Sequence, residues 1–319
     1  MDATRGFLDL RPAEQFAETT KYTDEALHTD GRQERVSPPL LGAGVRNRML
    51  RRFLDLGGDD RVIDLGCGSG RMMAWNADTG AWLVGVDVSP YFSEEAIERH
   101  DLVLGDLRRL PFPDGAFDKA WSLDVFEHLS IDALQAMLRE ANRVLAPGGA
   151  LFVYTHVRKN SRLALGLRAV NALAHGLERL GLFDMTQERL RKSDHVNPLA
   201  DVPHLEAVTA ACGFRVGRIR YYTPLIGGFI ENVAMRVAEG WMTRRAARKG
   251  APGGEVTAYA SATREARAAA KARIGRGGPT YAGLKVLTWI MHLDVLLFGR
   301  VRSGPFFALL VKDRPPRVS

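Results

Sequence analysis

Short apolar runs separated by polar and glycine-rich breaks organise the chain. Arg61–Leu65, Trp82–Asp87, Leu102–Asp106, Asp118–Ser122 and Ala150–Thr155 are apolar windows of strand length. Arg215–Tyr222 and Pro305–Lys312 repeat the pattern nearer the C-terminus. Between them, Ile131–Leu145 carries Leu134, Leu138, Ala141 and Leu145 at helical spacing, which predicts a helix covering one face of a sheet. A further helix is predicted over Val45–Leu56, and Pro147-Gly148-Gly149 is a turn signal that sets up the fifth strand. Strand and helix alternate, so the expected fold is α/β, a doubly wound sheet of seven strands with right-handed crossovers.

The sharpest local signal lies where the first of these strands ends. Val62-Ile63-Asp64-Leu65 runs into Gly66-Cys67-Gly68-Ser69-Gly70-Arg71, and the next strand finishes on Asp87. Ligands of nucleotide type bind at the carboxyl edge of such sheets. Glycines there let the backbone approach a ligand and take φ values forbidden to other residues. An acid ending the second strand can accept from both hydroxyls of a ribose. A dinucleotide fingerprint would put a small residue where bulky Arg71 stands, which leaves a pyrophosphate clamp poorly supported. Asp64 argues the same way, because a carboxylate suits an ammonium or a sulfonium better than a phosphate.

The segment resembles motif I of class I S-adenosylmethionine-dependent methyltransferases, in a branch acting on small molecules such as quinone precursors. Further blocks follow in that family's order: Leu104-Gly105-Asp106-Leu107, Leu110–Asp114, Phe117–Trp121, Leu138–Gly149, Gly213-Phe214 and Pro305–Val311. Together they span roughly residues 58–223 and 304–313. The resemblance implies a Rossmann-like sheet with an antiparallel last strand, and S-adenosyl-L-methionine as cofactor. On that basis Gly66, Cys67, Gly68 and Gly70 form the wall beside its methionine part, and Asp64 holds the amino group. Asp87, with Val88 after it, takes the ribose. Asp106 accepts from the adenine amino group while the Leu107 N–H serves a ring nitrogen. Ser122 and Leu123 line the methionine through backbone groups.

Methyl transfer from a sulfonium is an in-line displacement in which positioning supplies much of the rate. A hydroxyl acceptor must also lose a proton. His128, after the fourth strand, and His156, at the end of the fifth, are the candidate bases or acceptor-positioning donors. Asp124-Val125-Phe126-Glu127-His128 is similar to an acid-x-x-Glu-His segment of metal-assisted subfamilies, but carries Asp at the first acid. The expectation is that no metal is used.

Composition adds little to the core and more to its surroundings. In 319 residues, 46% hydrophobic and 25% charged are ordinary globular values. Two cysteines, Cys67 and Cys212, suggest neither a metal site nor a structural disulfide, which fits a reducing compartment. No signal-peptide pattern opens the chain, and no run of 18 uncharged apolar residues predicts a spanning helix. The expected organisation is an N-terminal helical segment (1–57), a cofactor-binding core (58–157), a helical lid (158–201), the end of the core sheet (202–223 and 304–313) and a helical insertion (224–303) between the sixth and seventh strands. Within the insertion, Glu239–Pro279 holds nine basic residues against three glutamates, nearly all of the chain's net +7, between apolar flanks. That pattern admits a solvated face, a peripheral membrane surface or, ranking below these, a nucleic-acid footprint. The expected function is methylation of a small or lipid-like acceptor, at oxygen, by a cytoplasmic protein that can contact a membrane through 224–303. The alternatives are an RNA methyltransferase and a cofactor-binding protein without turnover.

Overall fold

The computed structural model describes residues 6–10, 36–157, 172–173, 176, 195–222, 226–234, 277–302 and 304–313. The expected lid and the basic stretch Glu239–Pro279 lie almost wholly outside them. Eight strands form one sheet: β1 (Leu8–Asp9), β2 (Arg61–Leu65), β3 (Trp82–Asp87), β4 (Asp101–Leu104), β5 (Phe117–Leu123), β6 (Leu145–Thr155), β7 (Phe214–Tyr221) and β8 (Phe306–Lys312). Their order is β1-β4-β3-β2-β5-β6-β8-β7. The last strand runs antiparallel to both β6 and β7, and the other pairings are parallel. The seven expected strands are all present. The eighth, β1, is a two-residue edge pairing with β4, too short to leave a periodic trace in the sequence.

Both faces of the sheet are covered, which is why its central strands read as continuous apolar runs. Ile63 and Leu65 point to one face and Val62 to the other; Leu151 and Val153 face opposite Phe152 and Tyr154. The first face packs on α4 (Ile131–Val144) and α5 (Val202–Ala211), through Leu134, Leu138, Ala141, Leu205 and Val208. The second packs on α1 (Leu41–Leu54), α2 (Arg71–Asn76) and α3 (Glu94–Arg99). Ser130 starts α4 by accepting the Ala133 N–H, one of the donors a helix start leaves unpaired. Two strand limits differ from the sequence expectation by more than one residue. β4 stops at Leu104, because Asp106 enters a turn and accepts the Arg108 N–H. β6 begins at Leu145 and takes the Pro147-Gly148-Gly149 turn into itself as an irregularity in its register with β5, Gly148 standing at φ 81°.

After a short helix α6 (Ile226–Phe229), a long helix α7 (Pro279–Phe298) lies against α1 through buried Thr288, Met291, His292 and Val295. Its 20 residues are long and apolar enough to cross a membrane, although no spanning helix was expected. The expectation rested on uncharged runs, which Lys285 and Asp294 interrupt. His292 is held neutral in the seam, pushed down to about 4 by burial first and then by Arg48 and Arg52.

Candidate active site

The parallel strands β2 to β6 end together, so Leu65, Asp87, Leu104, Leu123 and Thr155 deliver their loops to one edge. The glycine loop is pinned there by Gly66 and Cys67 N–H groups donating to the Val86 carbonyl at 2.9 and 3.1 Å. Gly66, Gly68 and Gly70 all have positive φ, of 84°, 54° and 76°. Their surroundings divide them. A Cβ on Gly66 would stand 2.4 Å from Val125 Cγ2, and one on Gly70 2.5 Å from Ala96 Cβ, so packing requires both glycines. A Cβ on Gly68 would meet nothing within 4 Å, which leaves this turn open to a ligand. The Cys67 side chain turns away into the core beside Gly85, and burial pushes its thiol up. Gly66→Ala should therefore cost about 1–3 kcal/mol through backbone strain and the clash with Val125. A lowered melting temperature together with weakened cofactor binding is the expected result, and an unchanged melt would contradict this packing role.

The acids around the loop differ in state. Asp87 accepts the Gly68 N–H at 2.7 Å and the Ser89 N–H at 2.8 Å, one on each carboxylate oxygen, so it shapes the loop. Asp64 is only 3% exposed, and its Oδ2 has no hydrogen-bond partner among the described residues. Burial pushes it up to about 8. The indole of Trp121, opposite in the β2–β5 register, pulls downward without completing a hydrogen bond, and the Asp87 charge adds to the rise. Asp106 follows β4, and its carboxylate is bound by the Arg108 side chain at 3.0 Å. Val88 and Leu107 are half-buried beside Asp87 and Asp106. The Ser122 hydroxyl donates to the Leu65 carbonyl at 2.9 Å, which ties β5 to β2 and leaves backbone groups as what it can offer a ligand.

A second cluster occupies the same edge beyond β5 and β6. Asp124 takes a left-handed turn at φ 57°, and Phe126–His128 form a 3-10 turn. This brings buried Glu127 within reach of the Thr155 hydroxyl, at 3.1 Å, and of His156 Nδ1, at 3.8 Å. Burial first, then the Asp124 charge, push Glu127 up to about 8. His195 completes the group: its ring stands 4.6 Å from His128 and 5.4 Å from His156. Asn197 anchors that segment by donating its backbone N–H to the Glu127 carbonyl at 2.9 Å. The structure thus joins His128 and His156, both named from sequence, to Glu127 and to an unforeseen His195. One ligand atom each from Glu127, His128 and His195 lie within 4.8 Å of one another, a spacing that could hold a metal ion. Asp124, the first acid of the sequence pattern, instead pairs with Arg46.

Arg46 is a second residue that sequence reading missed. It comes from α1, and its guanidinium sits 4.9 Å from the Tyr154 ring centre and 5.9 Å from that of Tyr222. Tyr222 in turn donates to Glu231 at 2.6 Å. Gly42 permits this approach, since a Cβ there would run into Glu231 and Tyr222. The N-terminal helix therefore roofs the edge beside Asp124, with a polar network facing inward.

Residues 63–153 match the family model of a methyltransferase domain. This stretch is a class I methyltransferase domain. Methyltransferase GfsG of Streptomyces halstedii is 39% identical over 126 residues, covering 36% of this chain and 45% of that protein. Sterol 4-C-methyltransferase strm-1 of Caenorhabditis elegans is 34% identical over 116 residues, 34% of each chain. Demethylmenaquinone methyltransferase of Mycolicibacterium gilvum is 39% identical over 107 residues, 33% of this chain and 46% of that one. The chain thus spans less than half the length of these curated relatives. Phosphoethanolamine N-methyltransferase 2 of Haemonchus contortus, solved with S-adenosyl-L-methionine, superposes with a TM-score of 0.52 at 16% identity, covering 95% of this chain and 59% of that one, a likeness of fold. Of the residues at the edge, the methyltransferase domain supplies the glycine loop, Asp87, Asp106 and Asp124–His128. Arg46, His156 and His195 lie outside the matched stretch.

Proposed function

We propose that the chain is an S-adenosyl-L-methionine-dependent methyltransferase that methylates a small, lipid-like acceptor at oxygen. The observation that carries this reading is the pairing of an open wall at Gly68 with Asp87 and the buried carboxyl of Asp64, whose Oδ2 has no partner among the described residues. That set suits a ribose and a cationic sulfur or ammonium group, and it suits a pyrophosphate poorly. Bound there, the cofactor supplies a methyl group on a positively charged sulfur. Asp87 holds the ribose hydroxyls, Asp64 faces the cationic end, and the region of Asp106 and Leu107 receives the adenine once Arg108 gives way. The residues at this edge would hold an acceptor oxygen in line with that methyl group, to which the methyl would pass as its bond to sulfur is given up. His128 or His156 takes the acceptor's proton, and Glu127, 3.8 Å from His156, orients that imidazole. Arg46, Tyr154 and Tyr222 roof the acceptor side and restrict water. Relatives named for a sterol and for demethylmenaquinone support the lipid-like class, and a histidine cluster able to take a hydroxyl proton supports oxygen as the acceptor atom.

The convergence of Glu127, His128 and His195 favours a second reading, in which these residues hold a divalent ion. Such an ion supplies Lewis acidity that makes a hydroxyl easier to deprotonate. One assay separates the readings: transfer of labelled methyl to phenol, quinol and isoprenoid alcohol acceptors, before and after chelation. Under the first reading, His128→Asn or His156→Asn, whichever removes the base, lowers kcat by roughly 100-fold or more and chelation changes nothing. Loss of activity on chelation, restored by a metal, selects the second. Cofactor binding with no transfer to these acceptors, but with transfer to RNA, overturns the acceptor class. Binding with transfer to none of them points to a protein without turnover.

A further inference from the structure

Helix α7 has two apolar stripes, and the fold uses one. Thr288, Met291, His292 and Val295 pack on α1. On the other side, Val286, Trp289, Leu296 and Leu297 are exposed, with Leu293 half-buried among them, at spacings of three, four, three and one that keep a single face, and Phe298 is exposed at the helix end. Leu297 is 71% exposed and Trp289 54%. An apolar stripe of this length on a surface helix marks an interaction site.

The charges around its C-terminal end say what it meets. Arg300 and Arg302 follow the helix and are exposed. Arg220, on the edge strand β7, lies with its side chain against Gly299, and burial first, then the charges of Arg218, Arg300 and Arg52, hold its pKa below the usual arginine value. Arg220, Arg300 and Arg302 thus stand together at the C-terminal end of the apolar face. Basic side chains gathered at the end of an exposed apolar stripe complement an anionic surface.

We propose that the exposed face of α7 and this arginine cluster form a docking surface for an anionic lipid bilayer. The helix lies in the interface with Trp289 and Leu297 among the lipid headgroups and upper chains, and the arginines on phosphates. Spanning the bilayer would strip Met291, His292 and Val295 from α1 and break the Asp294 bond to the Gly227 N–H, so the helix stays parallel to the surface. The α1 helix that carries Arg46 is the element α7 packs on, so docking brings the roofed edge of the site close to the lipid. The proposal builds on the lipid-like acceptor reading, but vesicle binding is measured without turnover, so each can fail alone.

The test is co-sedimentation of the full chain with phosphatidylcholine vesicles, with and without phosphatidylglycerol, alongside Trp fluorescence. Binding to the anionic vesicles only, reversed by salt, with a blue shift that Trp289→Phe removes, is the expected result. Leu297→Glu and the double variant Arg300→Glu/Arg302→Glu should each weaken binding by roughly tenfold or more, with wild-type melting temperatures. Equal binding to neutral vesicles removes the arginines from the proposal and overturns it. So does no binding, or a wild-type dimer that Leu297→Glu converts to monomer, which would give the face to a second copy. Salt-dependent RNA binding through the same arginines, without vesicle binding, overturns it as well.

Discussion

Asp87→Ala should abolish binding of S-adenosylhomocysteine in titration calorimetry, while NAD binds neither protein. The carboxylate would accept two ribose hydroxyls, and charge-assisted bonds contribute about 1.5–3 kcal/mol each, so their loss weakens binding by roughly 100-fold to 10,000-fold. Part of the effect arises before any ligand arrives, because Asp87 also accepts the Gly68 and Ser89 N–H groups that set the loop's shape. Asp87→Asn separates the contributions: its amide oxygen keeps one backbone acceptor, so the fold survives while one hydroxyl partner and the charge are lost. Both variants should be weak binders, with the alanine variant also lower in melting temperature. Unaltered binding by Asp87→Ala would mean that the ligand lies elsewhere and would remove the basis of the functional reading.

The parts of this site that were readable in sequence share a physical trait, which is that local chemistry dictates them. Arg61–Leu65 and Trp82–Asp87 form strands with the predicted limits, since both are buried on two faces and are bounded by glycine or by an acid. The glycine loop was legible because positive φ favours glycine, although which of the three glycines faces open space needed the positions of Val125 and Ala96. His128 and His156 stood out because they follow strand ends. His195 had no such mark. It reaches the site only because Asn197 ties its segment to Glu127, a contact between residues 70 positions apart. Arg46 was hidden for the opposite reason. On a helix with Arg48, Arg51 and Arg52 it reads as one more solvated cation, and only the packing of α1 over Tyr154 and Tyr222 singles it out.

The charge pattern shows the same limit from another side. Sequence counting placed the basic excess in Glu239–Pro279, because contiguous residues are what counting detects. The cluster around Arg220 joins Arg52, Arg218 and Arg300 from separate elements. No window along the chain contains it. The apolar half of that surface was visible as a run through Val286–Phe298, but its division into a packed stripe and an exposed one depends on where α1 lies.

Asp64→Asn should make the ligand-free protein more stable and, at the same time, a poorer binder. The native carboxyl is raised to about 8, chiefly by burial, whereas in the unfolded chain it titrates near the usual carboxylate value of about 4. Below about pH 4 both states are protonated and the shift has no effect. Between about pH 4 and 8 the unfolded chain releases a proton that the native state retains, so stability falls as pH rises, and it levels off above about 8. A shift of this size corresponds to on the order of 5 kcal/mol at most, and asparagine, neutral at every pH, removes it. Urea unfolding at about pH 5 and about pH 9 should therefore show a stability gain for Asp64→Asn that is much larger at the higher pH. Binding runs the other way. A cation placed beside Asp64 favours its ionised form, so the wild type should bind S-adenosylmethionine with release of a proton below pH about 8, measurable as a buffer-dependent heat. The variant should lose both that heat and much of the affinity. A pH-independent stability difference, or proton release that persists in Asp64→Asn, would assign the ionisation to another group and leave Asp64 as a packing residue.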